Sequence, residues 1–403
     1  MAVQEHRTPG NGKSALGGNG SGVRPAPPEQ AQGNEAPVPG HREWTEPYNS
    51  FNSWKGLLYR DHYQGILEGR LLPPVEASID PTYNCNIDCT WCNSWRILHK
   101  DEKVGHVMTP EHLMRLVSFL ADWGVKGFCY AGGGDPTLHP ALWDAMEFAR
   151  ERGRENSIIT NGIKIDTDRK RETAVTTCRW IGVSLDAGTA ERYAEVKKTS
   201  PKVFHKVLEN VAAMVDLVRS RGARCEIAIK YLIHPTNADQ ILQACEIARD
   251  LGVAHFHARP AASENIEGLG EKLHFPMDLI NAQLDECLKL QTPRFKTFGV
   301  RHKFTETFNL QHGFSRCWSA PLTIQCGADG YVYHCVDWRG DPEWVMGPHF
   351  PDPERILEFW GSPEHIRRME EVNVDKCPRC TYGIYAQQIE NAVRDDGMCM
   401  NFP

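Results

Sequence analysis

No apolar run in this 403-residue chain approaches the roughly 18 residues that a membrane-crossing helix needs, so such a helix is not expected. The N-terminus lacks the short apolar core of a secretory signal, which makes a cytoplasmic protein the expectation. Basic tracts and aromatic-basic interleaving are missing as well. With 45 Lys and Arg against 52 Asp and Glu, the net charge is −7, and neither nucleic acid nor a membrane is an expected partner. The first 42 residues hold no aromatic side chain but 14 Gly or Pro. That composition cannot bury enough apolar surface to offset chain entropy, so a disordered tail is expected there. Its one nucleotide-like pattern, Gly10-Asn11-Gly12-Lys13-Ser14, is also incomplete: a phosphate loop needs Gly at position 7, where Arg7 stands, and no strand precedes it.

What is present begins after that tail. Residues 43 to 74 read as a lead-in, with Trp54, Leu57, Leu58 and Tyr59 forming a short helix before the first strand. From there, short apolar runs alternate with amphipathic segments. Strands are expected at 75–79, 127–131, 157–160, 180–185, 225–233 and 254–258. A helix is expected over 110–123, where Thr109 caps, Pro110 takes the first helical position, Leu113, Leu116, Val117 and Leu120 form a stripe, and Gly124 terminates. Another runs over 202–221 before Gly222, with Phe204, Val207, Val211 and Val218 on one face. Six beta-alpha repeats imply an α/β fold with a parallel sheet and outer helices.

Fourteen cysteines without an export signal read as thiols and metal ligands in a reducing compartment. Cys85, Cys89 and Cys92 stand at C-x3-C-x2-C spacing on the segment that follows the first strand. A cubane iron-sulfur cluster takes four thiolates and a structural zinc site closes all four positions, so three close cysteines favour a cluster with one reactive iron over a structural metal. A zinc site or a set of reduced thiols is the alternative. The motif resembles the signature of the radical S-adenosylmethionine (SAM) enzymes, in which SAM fills the open iron site and is cleaved to a 5'-deoxyadenosyl radical. The resemblance covers residues 75 to 260, and the strand count matches the family's partial (β/α)6 TIM-like barrel, expected here over 75–309.

The same resemblance implies where SAM binds. Gly132, Gly133, Gly134 and Asp135 follow the second strand and are similar to the family's Gly-Gly-Glu-Pro segment, whose acidic residue contacts the SAM amino group. Asp135 is one methylene shorter than the usual Glu, and a simple turn is the competing reading. Thr160 and Asn161 end the third strand, and Ser184 and Asp186 the fourth, at positions where the family contacts SAM; helix capping competes for Ser184 and Asp186. Trp91, beside Cys92, matches a place that is often aromatic and would cover the cluster or adenine, with a plain core role as the alternative.

The last quarter of the chain crowds further cysteines. Cys317, Cys335, Cys377 and Cys380, with an Ala328-Asp329-Gly330-Tyr331 turn between the first two, resemble the auxiliary domains called SPASM and twitch. The twitch pattern fits better, which implies one fully ligated auxiliary 4Fe-4S cluster in a small C-terminal domain over 310–403, and two 4Fe-4S clusters in all. Zinc on the same four thiolates is the alternative. Cys326 and Cys399 are read first as buried thiols, with a hydrogen-atom donor or a ligand of an irregular second auxiliary cluster as the alternatives, and Cys129, Cys178, Cys225, Cys245 and Cys287 as buried thiols. Lys230, Tyr231, His255, His257 and Arg259 stand near strand ends as residues that could face a substrate. Catalytic candidates are thus Lys230, Tyr231, Cys326 and Cys399.

By resemblance to the twitch-type aminocyclitol dehydrogenases, the expected activity is hydrogen abstraction from a small-molecule substrate, such as a sugar or aminocyclitol, with oxidation of an alcohol to a ketone. An electron donor such as flavodoxin or ferredoxin is the implied partner. A redox-neutral epimerase, dehydratase or decarboxylase, a peptide-modifying maturase and a zinc-stabilised binding protein are the alternatives.

Overall fold

A computed structural model describes residues 53–92, 94, 106–261, 273–301, 313–374, 377 and 380–394. The lead-in is a 3-10 helix, Ser53–Tyr59, running into the α-helix Arg60–Leu67. Seven parallel strands follow, each set by a run that alternates core-facing and opposite-facing side chains. They are β1 (Glu76–Ile79), β2 (Gly127–Tyr130), β3 (Glu155–Thr160), β4 (Cys178–Ser184), β5 (Glu226–Ile233), β6 (His255–Pro260) and β7 (Lys296–Gly299). Neighbours in sequence are neighbours in the sheet throughout. This is a partial, TIM-like α/β barrel.

The expected helices form for the expected reasons. The helix Pro110–Trp123 starts with Thr109 accepting the His112 N–H at 3.1 Å and ends where Gly124 adopts φ 119°, a left-handed conformation open to glycine at little cost. The helix Pro201–Arg221 ends the same way at Gly222. Leu113, Leu116, Val117 and Leu120, together with Val207, Val211 and Val218, join the apolar core between helices and sheet. Among the described residues no helix is long and apolar enough to cross a membrane.

Two features exceed the expected six repeats. Strand β7 adds a seventh parallel strand beside β6. On the other edge, β8 (Thr323–Cys326) pairs parallel with β1, and β9 (Tyr331–Tyr333) and β10 (Val345–Pro348) continue antiparallel from it, so the C-terminal segment extends the same ten-stranded sheet. The Ala328–Tyr331 turn does join β8 to β9, with Gly330 at φ 87° and the Gly327 N–H donating to the Tyr331 carbonyl at 2.8 Å. The expected disordered tail lies outside the described residues.

Candidate active site

The cysteine loop leaves the carboxyl end of β1, the end at which ligands bind in parallel α/β folds. It is closed at its base. Thr82 pairs with Val107, the Tyr83 N–H donates to the His106 carbonyl at 2.8 Å, and the Met108 N–H donates to Pro81 at 3.0 Å. A second tether comes from the C-terminus of the helix Ala190–Lys197, where the Val196 carbonyl accepts the Thr90 N–H at 3.0 Å and the Lys197 carbonyl accepts that of Asp88 at 3.3 Å. The three thiols lie close enough to act on one another: burial pushes the Cys92 thiol up to about 11, and neighbouring Cys89 adds to it. Thiols in that state need a cation to become thiolates, which suits an iron-sulfur cluster. Among the described residues no three Cys, His, Asp or Glu side chains form a group that would hold a single metal ion. A cubane does not require one, because each thiolate binds a different iron.

The glycine run after β2 lies directly against this loop. A Cβ on Gly134 would stand 1.9 Å from the Asn84 carbonyl oxygen, and one on Gly133 would stand 2.4 Å from the Tyr83 ring. Gly132, at φ 69°, faces the Arg339 guanidinium. These glycines therefore admit the cysteine loop and Arg339 to close contact. Backbone bonds lock the two segments: Gly134 N–H to the Thr82 carbonyl at 3.1 Å and Asp135 N–H to the Asn84 carbonyl at 2.8 Å.

Asp135 is buried, and both its carboxylate oxygens are taken by the protein. They accept from the Thr137 N–H at 3.0 Å, the Thr137 hydroxyl, the Thr160 hydroxyl at 2.9 Å and the Asn161 N–H at 2.8 Å. Thr160 and Asn161 are thus fastened to the glycine turn. Asn161 in turn donates to the Asn86 side chain at 2.7 Å, between Cys85 and Cys89. The chain of contacts runs from the end of β3 to the cluster loop.

Asp186, just past β4, is also buried and has a left-handed φ of 57°. Its carboxylate accepts the Leu232 N–H at 2.6 Å and pairs with the buried Lys197 ammonium. Burial alone would lower the Lys197 pKa, but Asp186 and the Cys89 sulfur beside it outweigh that and hold it above the ordinary lysine value. Lys197 also hydrogen-bonds Cys89 and favours its thiolate. Trp91 packs with Val196 and Ala261 and stacks on His234 at 4.9 Å between ring centres. Ser184 is partly exposed on the inner face of β4.

Strand alternation sorts the remaining candidates. Ile227, Ile229, Tyr231 and Ile233 of β5 belong to the apolar core, so Lys230 faces the barrel lumen. Tyr231, a candidate from sequence, consequently points away, fully buried, with its hydroxyl donating to the Asn237 carbonyl at 2.6 Å. On β6 Phe256 and Ala258 are core, and His255, His257 and Arg259 face inward. His255 pairs with Glu226 at 2.9 Å, and His257 meets Lys230 at 3.1 Å, with Lys230 also 5.1 Å from the Trp180 ring centre. Cys129 alternates with the core residues Phe128 and Tyr130 and is partly exposed in the lumen. This departs from the buried thiol expected from sequence, and the signal for it is the strand alternation that sets Cys129 between two core residues. Cys326 meets its favoured expectation, fully buried in the apolar core on β8, which removes it as a hydrogen-atom donor. Cys399 lies outside the described residues.

The C-terminal cysteines converge although up to 63 residues separate them. Burial pushes the Cys317 thiol up and nearby Cys380 and Cys377 add to it; Cys335 is pushed up by burial, then by Asp337, Cys317 and Cys380. The Asp337 N–H donates to the Cys335 sulfur at 3.5 Å. Cys317 thus interacts with Cys377 and Cys380, and Cys335 with Cys317 and Cys380, a set whose chemistry fits a second cluster as the first set fits its own. Next to them the buried Asp80, at the end of β1, pairs with Arg339 at 3.0 Å. Sequence reasoning missed this bridge, since its halves lie 259 positions apart.

Residues 79–225 match the family model described as the Radical SAM superfamily, so this part of the chain is a radical SAM domain. Among curated relatives, a probable GTP 3',8-cyclase of Methanosarcina acetivorans is 24% identical over 269 residues, 56% of this chain and 78% of that protein. Fe-coproporphyrin III synthase of Methanosarcina barkeri is 30% identical over 160 residues, 40% and 37% of the two chains, and mycofactocin maturase MftC of Mycobacterium ulcerans is 26% identical over 141 residues, 35% and 37%. The chain therefore spans well under half the length of the last two. Among solved structures, Streptococcus suis SuiB bound to precursor peptide SuiA superposes with a TM-score of 0.60 at 14% identity, over 85% of this chain and 80% of that one. Native anSMEcpe with bound AdoMet gives 0.52 at 17% identity, over 78% and 89%. At these identities the likeness shows a shared fold and nothing more.

Proposed function

We infer that the chain abstracts a hydrogen atom from a small polar substrate held in the barrel lumen, oxidising an alcohol to a ketone. Cys85, Cys89 and Cys92 would hold the SAM-binding 4Fe-4S cluster, and Cys317, Cys335, Cys377 and Cys380 an auxiliary one. When bound, these groups supply a 5'-deoxyadenosyl radical and a one-electron acceptor respectively. The observation that carries the reading is the convergence of Cys335, Cys317 and Cys380 near Asp337, whose charge also acts on Arg259 in the lumen.

The chain's own residues divide the remaining work. Asn161 and Lys197 hold the cysteine loop in place, Asp135 ties that loop's support to β3, and Trp91 closes one side against water. The Lys230–His257 pair faces the lumen and takes the hydroxyl proton. The carbon-bound hydrogen would leave as an atom; the cluster that Cys317, Cys335, Cys377 and Cys380 would hold would supply the acceptor for the one electron left on the substrate, and a flavodoxin- or ferredoxin-type donor would supply the electron that starts each turnover.

One observation favours a second, redox-neutral reading. Burial, with Glu76 adding to it, pushes the Cys129 thiol up to about 12, so the lumen contains a group that stays S–H and can return a hydrogen atom. Product mass distinguishes the two in anaerobic incubations that follow 5'-deoxyadenosine. A product two hydrogens lighter than the substrate supports oxidation. One of unchanged mass carrying solvent deuterium, and lost in Cys129→Ala, overturns it in favour of an epimerase.

A further inference from the structure

Arg259 ends the inner face of β6 in the lumen, level with Leu232 of β5. Its guanidinium makes no ion pair among the described residues, and its Nε is buried without a hydrogen-bond partner. Two acidic groups near this end of the lumen are already matched: Asp80 has Arg339 and Asp186 has Lys197. Asp337 and Asp186 attract Arg259 at longer range and burial opposes its charge, so the enclosure cost of this cation is not met by a contact within the described chain. The side chain is partly exposed with its Nε enclosed and unpartnered, and a guanidinium is shaped to bind an oxyanion through two parallel hydrogen bonds. Lys230, on the next strand at the previous inward-facing position, adds a second cation on the same wall.

We propose that Arg259 binds an oxyanion of the substrate, a carboxylate or a phosphate, and so fixes the substrate's orientation between the two cysteine sets. This rests on the reading of the lumen as the substrate site. The anion sits at the carboxyl end of the barrel, where the cysteine loop also emerges, and the carbon to be attacked lies on the remainder of the molecule. A neutral sugar or an uncharged aminocyclitol leaves Arg259 unmatched and binds weakly.

Inorganic phosphate and acetate are titrated separately into the reconstituted, SAM-loaded holoenzyme by calorimetry, for the wild type, Arg259→Lys and Arg259→Gln. Saturable binding of at least one anion is expected in the wild type. Arg259→Gln should weaken it by about tenfold to a hundredfold, the usual effect of losing charge-assisted hydrogen bonds, and Arg259→Lys should retain part of it. The anion bound more tightly identifies the substrate group as phosphate or carboxylate. Failure of the wild type to bind either anion, or equal binding by Arg259→Gln, overturns the proposal. Iron content and thermal melting establish that each variant is folded and loaded. Deoxyadenosine release by the wild type tests the underlying radical SAM reading separately.

Discussion

Replacing Asp135 by Ala separates two roles for this carboxylate. The family resemblance places it against the SAM amino group, whereas in the structure it accepts from Thr137, Thr160 and Asn161. In Asp135→Ala the two hydroxyls can rotate toward other acceptors, but the N–H groups of Thr137 and Asn161 cannot turn away. A buried donor left unsatisfied costs about 1 to 3 kcal/mol, so the pair predicts a loss of about 2 to 6 kcal/mol. At about 2 to 4 °C per kcal/mol for a large domain, a central value of about 4 kcal/mol lowers Tm by about 8 to 16 °C. The loss should reach the cluster, because Asn161 is the contact to Asn86 inside the cysteine loop. Asp135→Asn, which keeps the shape and one acceptor oxygen, should recover about half the stability. Scanning calorimetry of the apoprotein, iron analysis and SAM binding by equilibrium dialysis give the three readouts. An Asp135→Ala protein with unchanged Tm and full iron content that binds SAM ten times more weakly would refute the strut and restore the carboxylate as a SAM ligand.

Reconstituted wild type should hold about eight irons per chain and the Cys85→Ala/Cys89→Ala/Cys92→Ala variant about four, with no SAM cleavage; four irons plus zinc in the wild type would remove the auxiliary cluster. Lys197→Met leaves Asp186 buried without its cation and should cost about 3 to 5 kcal/mol, while adding Asp186→Asn restores much of it; chemical denaturation that finds the double variant no more stable than the single would contradict this. Burial holds His349 at about 4, partly against its hydrogen bond to the Gly327 carbonyl. Its unfolded-state pKa is about 6.5, so between those values the unfolded state binds the extra proton and stability falls as pH falls. Relative to His349→Phe, the wild type should therefore lose up to about 1.4 kcal/mol per pH unit from pH 6.5 down toward 4, and parallel stability profiles would count against the buried neutral imidazole.

The sequence alone determined those parts of the protein whose physics is local. Cys85, Cys89 and Cys92 lie within eight residues, so their spacing states the ligand geometry before any folding. The helix over 110–123 is legible because its cap, its stripe and its terminal Gly124 are all contained in the segment. Strands β1 to β6 were readable from alternation and apolar runs, with ends shifted by a residue or two. Strand β7 was missed because Lys296–Gly299 is four residues long and half polar. Only tertiary structure decided that β8 lies against β1, since strand pairing across more than 240 residues leaves no local trace. It also decided roles within the site. Lys230 and Tyr231 are adjacent and were equal candidates, but a strand turns successive side chains to opposite faces, so one lines the lumen and the other joins the core. Cys129 departs from its expected burial for the same reason, whereas Cys326 is buried as expected. Asp135 shows the limit most directly: its position after the glycines is a property of the chain, but the four donors that occupy it come from Thr137, Thr160 and Asn161, and only folding brings β3 to the turn.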